Sequence, residues 1–180
     1  MDLESVKIGL YRRLPRALQV RAVRHTTPNF SVGTLALLTV DGTQLLLVRP
    51  TYRPGWLPPG GLLRRGETAV HGLQRELHEE LGLVVQVAEP HRAYLDVRRQ
   101  AVTFLSVAVL PSTALPCITT RELEDVRWFD VENLPPLPSD FSEGLPPEDL
   151  AAVRAVGGQS SQAAAPAAVS SARVIGVAPR

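Results

Sequence analysis

The sequence predicts an α/β domain. Three observations carry this: strand-like segments recur along the chain, an amphipathic helix with recognisable ends interrupts them, and the composition is globular. Of 180 residues, 44% are apolar and 21% charged, which suits a chain that buries a core rather than a disordered polymer. Nineteen basic against eighteen acidic side chains leave +1, so no global field attracts nucleic acid and no DNA partner is expected. Cys117 is the only cysteine, which excludes an internal disulfide and a thiolate metal site. No apolar run reaches membrane-spanning length, and arginines interrupt every early hydrophobic cluster. A cytoplasmic protein is therefore expected.

Residues 1–28 are expected to form a basic amphipathic arm. No acid lies between Glu4 and Asp41, while Lys7, Arg12, Arg13, Arg16, Arg21 and Arg24 all do. Val6, Leu10, Leu14, Leu18 and Ala22 recur at the spacing of one helical face, and Pro15 divides the stretch into two short helices. Such a stripe packs on a domain; contact with a membrane surface is the alternative.

A domain over 29–156 follows. Residues 30–40 and 43–50 read as a hairpin about Asp41-Gly42. Residues 51–61 are a loop rich in proline and glycine. A helix is expected from Thr68 to Leu81, closed by Gly82. Residues 83–89, 93–98, 101–110 and 125–131 are strand-like in their β-branched and aromatic content. Residues 146–156 open with prolines and acids and read as a short helix. The tail, 157–180, begins with small uncharged residues and is expected to be disordered.

The chemistry concentrates between Gly61 and Leu83. On a helical wheel of about 100° per residue, Val70, Leu73, Leu77 and Leu81 form one apolar face. Glu76 and Glu80 fall along its edge, with Glu79 further round; Glu80 projects about 20° from Leu73. A carboxylate so near a buried stripe is costly unless something compensates it. A divalent cation such as Mg²⁺, which prefers oxygen ligands, would do so. Arg75 is placed to anchor a carboxylate by a bidentate pair. Gly72 projects toward Glu76 and Glu79 and is expected to leave room for a phosphate or a metal. His71 and His78 are expected to face solvent, and Cys117 has no evident base.

The full spacing runs Gly61, five residues, Glu67, seven residues, Arg75-Glu76-Leu77, one residue, Glu79-Glu80, one residue, Gly82-Leu83. This resembles the Nudix box at every defined position. The preceding Pro59-Gly60-Gly61 and the strand order from about Phe30 to Leu137 are similar to the same family. The resemblance implies an α/β/α sandwich with a mixed, curved sheet, in which the box forms a loop–helix–loop metal site. It implies Mg²⁺, with Mn²⁺ as the alternative, held by Glu76, Glu79, Glu80 and the Gly60 carbonyl, with Glu67 and Arg75 bracing the loop. The implied activity is hydrolysis of a diphosphate bond in a nucleoside diphosphate derivative of the ADP-ribose or sugar-nucleotide type, or in a nucleoside triphosphate.

The general base is either a glutamate of the box, such as Glu79, or a later acid. Glu122, Glu124 and Asp125 precede Trp128-Phe129, where relatives carry such an acid, and Glu122 is favoured. Tyr52, Arg53 and Trp56 stand in the loop before the box, where they would stack on a base or grip phosphate. The alternative is that they pack the loop on the sheet, which is the favoured reading for Trp56. The residue sixteen beyond Leu83 is Arg99, so neither the proline nor the tyrosine of two substrate subgroups is present. A nucleotide-binding sensor without turnover and an RNA-end-processing pyrophosphohydrolase are the rival readings. A homodimer is compatible with the family.

Overall fold

The computed structural model describes residues 12, 15–19, 27–137, 145–159 and 173–177. The chain divides into two compact units, Met1–Ser31 and Val32–Arg180. In the first, the amides of Leu18 and Gln19 donate to the Pro15 carbonyl at 2.8 and 3.1 Å, so the proline heads a helical turn, where its missing N–H costs nothing. The rest of the expected apolar stripe lies outside the described residues.

From the boundary onward, β1 (Ser31–Thr39) and β2 (Gln44–Pro50) form the expected hairpin, antiparallel with Leu38 opposite Leu46. Gly42 takes φ +83°, and Asp41 Oδ1 accepts from the Thr43 amide and hydroxyl at 2.9 and 2.7 Å. A short β3 (Gly60–Leu62) pairs antiparallel with β1, Leu35 opposite Gly60. Its glycines carry no strand propensity, so the sequence reads there as loop. The helix α1 (Ala69–Leu81) begins and ends as expected: Thr68 Oγ1 accepts from the His71 amide at 3.2 Å, and Gly82 is left-handed at φ +66°.

Residues 83–89 are not a strand. Leu83 and Val85 are buried and Val84 exposed, so the segment is extended with one side on the core. Alternation reports that burial whether or not a neighbouring strand is there to pair. Beyond it come β4 (Arg92–Asp96) and β5 (Ala101–Val109), an antiparallel pair, then β6 (Leu123–Asp130), which pairs along β2. Helix α2 (Pro147–Gln159) follows, then β7 (Arg173–Val177), parallel to β4. Within the tail expected to be disordered, the helix runs past Gly157 and Arg173–Val177 pair with β4; the rest of that tail lies outside the described residues.

The sheet order is β6-β2-β1-β5-β4-β7, with β3 on β1. Two apolar clusters lie on its two faces. Ala36, Leu38, Leu46 and Val48 pack with Leu73, Leu77 and Leu81 of α1. Leu37, Leu45 and Leu105 pack with Val153 of α2. Alternate residues of β1 and β2 thus serve opposite layers, giving the α/β/α sandwich. Asp149 of α2 is fully buried; it accepts from the Tyr94 hydroxyl and pairs with Arg92 Nε at 2.8 Å. Among the described residues no helix is long and apolar enough to cross a membrane.

The end of α2 lies against the hairpin turn through two glycines. A Cβ on Gly157 would collide with the backbone of Asp41 and Gly42, and one on Gly42 would stand 3.1 Å from the Arg154 Cα. Gly157→Ala gains about 1 kcal/mol of helix propensity but overpacks backbone against backbone. We expect a net loss of about 1–3 kcal/mol. An unchanged urea midpoint would show that this approach does not hold α2 in place.

Candidate active site

Three segments meet over the C-terminal half of α1. The first is the loop and β3 before it. Gly60 takes φ +142°, and a Cβ there would collide with the Thr34 carbonyl. A Cβ on Gly61 would stand 2.6 Å from the Glu76 carboxyl carbon, so the glycines let the β3 backbone lie directly on that carboxylate. Gly72 has a different use from the one expected. Its missing side chain admits the Leu63 side chain, with Glu67 Oε2 3.2 Å from where a Cβ would be. It seats the loop rather than opening space for a ligand.

Arg75 ties this loop to the helix. Nε meets Glu67 Oε1 at 2.7 Å, and Nη2 donates to Glu67 Oε2 at 2.9 Å and to the Leu62 carbonyl at 3.1 Å. Nη1 donates to Glu76 Oε1 at 2.7 Å and to Glu79 Oε2 at 3.1 Å. These partners raise the guanidinium pKa above its usual value, the Glu67 hydrogen bond most of all. Glu67 falls to about 2, chiefly through Arg75 and then through the Arg64 amide. A further guanidinium, missed in the sequence, joins the set: Arg64 Nη2 donates to Glu79 Oε2 at 2.9 Å. It lies in a loop without periodicity, where spacing carries no signal.

Glu80 differs from its neighbours. Burial, then the charge of Glu76, raises its pKa to about 7, with smaller contributions from Glu122 and Glu79; a hydrogen bond from the Gly60 backbone opposes this. Its Oε2 is buried and has no hydrogen-bond partner among the described residues. The expected edge-of-stripe position is therefore real, and so is its cost.

The second and third segments are residues 51–53 and the loop before β6. Thr119 Oγ1 donates to the Glu79 carbonyl at 2.5 Å, and the amides of Thr119 and Cys117 donate to the carbonyls of Glu80 and Leu81 at 3.0 Å. These bonds satisfy carbonyls that the helix end leaves open, and the same loop carries Glu122 to the carboxylates. The Thr51 amide donates to the Glu122 carbonyl at 2.8 Å, which sets Tyr52 and Arg53 beside the acid. Partial desolvation, then the charge of Glu80, raises the Tyr52 phenol above its usual value.

Trp56 stands in edge contact with Phe129, centroids 4.8 Å apart, with the guanidiniums of Arg49 and Arg127 each 5.5 Å from its ring centroid. That is the packing alternative. Glu124 and Asp125 pair with Arg49 at 3.2 and 3.8 Å. His71 and His78 are exposed, as expected, and so is Cys117. Among the described residues no three histidine, cysteine, aspartate or glutamate side chains are gathered as ready metal ligands; Glu76 and Glu79 are turned onto Arg75.

A family model described as NUDIX domain matches residues 29–147. The NAD-capped RNA hydrolase NudC of Pseudomonas aeruginosa is 30% identical over 129 residues, 66% of this chain and 42% of that protein. The chain thus spans about two fifths of that relative. A MutT-like protein of Streptomyces ambofaciens is 31% identical over 102 residues, 57% of this chain and 65% of that protein. Among solved structures, a MutT NUDIX hydrolase from Burkholderia pseudomallei superposes with TM-score 0.54 at 27% identity, covering 61% of this chain and 91% of that one. The NUDIX domain of Shewanella oneidensis NrtR, complexed with ADP ribose, superposes with TM-score 0.60 at 22% identity, covering 79% and 99%.

Glu80 makes metal-free stability depend on pH. The folded protein keeps a proton up to about pH 7 that an unfolded glutamate loses near 4.5, so stability falls as pH rises through that window. Glu80→Gln removes the ionisation. In chelator it should be more stable than wild type at pH 8, by on the order of 1–2 kcal/mol after allowing for the group's partial exposure. The difference should vanish near pH 4.5. Parallel stability curves from pH 4.5 to 8 would contradict this assignment.

Proposed function

The chain belongs to the Nudix family, and from that premise we propose that it is a divalent-metal-dependent pyrophosphohydrolase. Its substrate is a nucleoside diphosphate derivative of the ADP-ribose or sugar-nucleotide type, or a nucleoside triphosphate. One observation carries the reading: the half-buried Glu80 carboxylate lies within the field of Glu76 and has one buried, orphaned oxygen, an arrangement that a cation relieves and that a surface salt-bridge helix has no reason to keep.

The donor set fits a hard cation. Glu76, Glu79 and Glu80 would hold it with the Gly60 carbonyl, all of them oxygen ligands, the chemistry of Mg²⁺ or Mn²⁺. When bound, the metal supplies charge neutralisation on the diphosphate and activation of a water for attack on phosphorus. The chain supplies the rest. Arg75, held by Glu67, orients Glu76 and Glu79. Glu122, set beside Glu80 by the Thr51 and Thr119 hydrogen bonds, takes the proton of the attacking water. Tyr52 and Arg53, beside Glu122, would hold base and phosphate, while Trp56 stiffens the loop that carries them. The same reading places the protein in a reducing cytoplasm, where the exposed Cys117 stays a thiol.

The name of the Pseudomonas aeruginosa relative favours a second reading, in which the diphosphate is that of a nucleotide cap on RNA. Both readings place a nucleoside diphosphate at the same carboxylates. A panel of ADP-ribose, sugar nucleotides, nucleoside triphosphates and NAD-capped RNA, with products weighed after reaction in ¹⁸O-water, separates them. Silence across the panel from folded protein with Mg²⁺ and Mn²⁺ would favour a nucleotide sensor instead.

Glu79→Gln and Glu80→Gln should each lower metal-dependent turnover at least about a hundredfold, the scale of losing a charge-stabilising group, with the far-ultraviolet circular dichroism unchanged. Wild-type rates in both variants would refute the site.

A further inference from the structure

Arg75 has no capacity left for a ligand. A guanidinium has five N–H donors, and its contacts with Glu67, Leu62, Glu76 and Glu79 engage Nε, Nη1 and Nη2 alike. Its side chain is 16% exposed. Arg64 is the opposite case. Its side chain is 62% exposed, and its guanidinium has one partner among the described residues, Glu79 Oε2 at 2.9 Å.

The backbone beneath Arg64 is held firmly. Its amide donates to Glu67 Oε2 at 2.7 Å, its carbonyl accepts from the Glu67 amide at 3.1 Å, and the Leu63 amide donates to the Val32 carbonyl at 2.8 Å. Leu63 fills the space that Gly72 leaves. A fixed base with an exposed, singly bonded cationic head is a binding arm whose backbone ordering is already complete before a ligand arrives.

We propose that Arg64 is a phosphate-binding residue of this site, paired with Glu79 only until a divalent cation takes that carboxylate. The inference deepens the proposed function and rests on it. Glu79 Oε2 accepts from two guanidiniums, and a cation entering beside it repels both. Arg75 stays, anchored by Glu67 and Leu62. Arg64 has no such anchor at its head, so it is released to meet the substrate's diphosphate. Metal binding thus converts an internal counter-ion into a substrate contact.

Two effects of opposite sign follow for Arg64→Gln. Mn²⁺ should bind more tightly, by about threefold, because a competing exposed ion pair is gone. ADP should bind more weakly at saturating Mn²⁺, by about tenfold, the scale of one charge-assisted hydrogen bond. Arg64→Lys should recover part of both. The free Mn²⁺ signal in electron paramagnetic resonance reads the first, and calorimetry with ADP reads the second; neither needs turnover. Unchanged affinities in Arg64→Gln, or Mn²⁺ and ADP both weakened as for a merely structural residue, would overturn the inference alone. Wild-type protein that binds no Mn²⁺ would overturn the proposed function and this inference with it.

Discussion

The Arg75 guanidinium joins the pieces of the site. It bonds the loop at Glu67 and Leu62 and the helix at Glu76 and Glu79, so β3 and α1 cannot separate without breaking all of these charge-assisted bonds at once. A network of this kind, with one guanidinium shared among three carboxylates, holds its members more firmly than an isolated exposed pair does. The glycines around it follow from that constraint. Gly60 and Gly61 let β3 approach Thr34 and Glu76, and Gly72 lets Leu63 reach the helix. A side chain at any of them would have to move a neighbour before the guanidinium could meet its carboxylates.

Against this settled set stands an unsettled one. Glu80 is half-buried by the same packing that positions Glu76, and its unpartnered oxygen is a local cost that the fold accepts. The apolar face of α1 holds the helix in place, through Leu73, Leu77 and Leu81 at 0% exposure. The carboxylate edge is carried in with it. The packing of the layer and the cost at Glu80 are thus two consequences of one helix orientation, and they pull in opposite directions.

What the sequence made legible was local. The Asp41-Gly42 turn, the Thr68 and Gly82 caps and the apolar face of α1 are each decided by a few adjacent residues. The family spacing added the carboxylates and the sandwich. The features that escaped depend on distant parts of the chain. Residues 83–89 alternate as a strand does but have no ladder, β3 is a strand only because β1 is beside it, and β7 pairs with β4 across a long separation. The sequence points Gly72 toward space for a ligand because a helical wheel shows directions and not what the loop inserts there. Arg64 went unnoticed because its partner, Glu79, is set by the fold.

The two-sided burial of β1 has a consequence for how the chain finds its register. In a sheet with one wet face, a slip by a single residue would drive polar groups inward and is rejected at once. Here Ala36 and Leu38 face one core and Leu37 the other, so a slipped β1 would still bury apolar side chains on both sides. Hydrophobicity alone is nearly blind to the error. Selection against misalignment therefore falls on a few small groups: the Asp41-Gly42 corner that sets β2 opposite β1, and the glycines that alone fit where β3 crosses. Substitutions that leave every core residue intact, but alter those corners, would act on fidelity of folding rather than on the strength of the finished core.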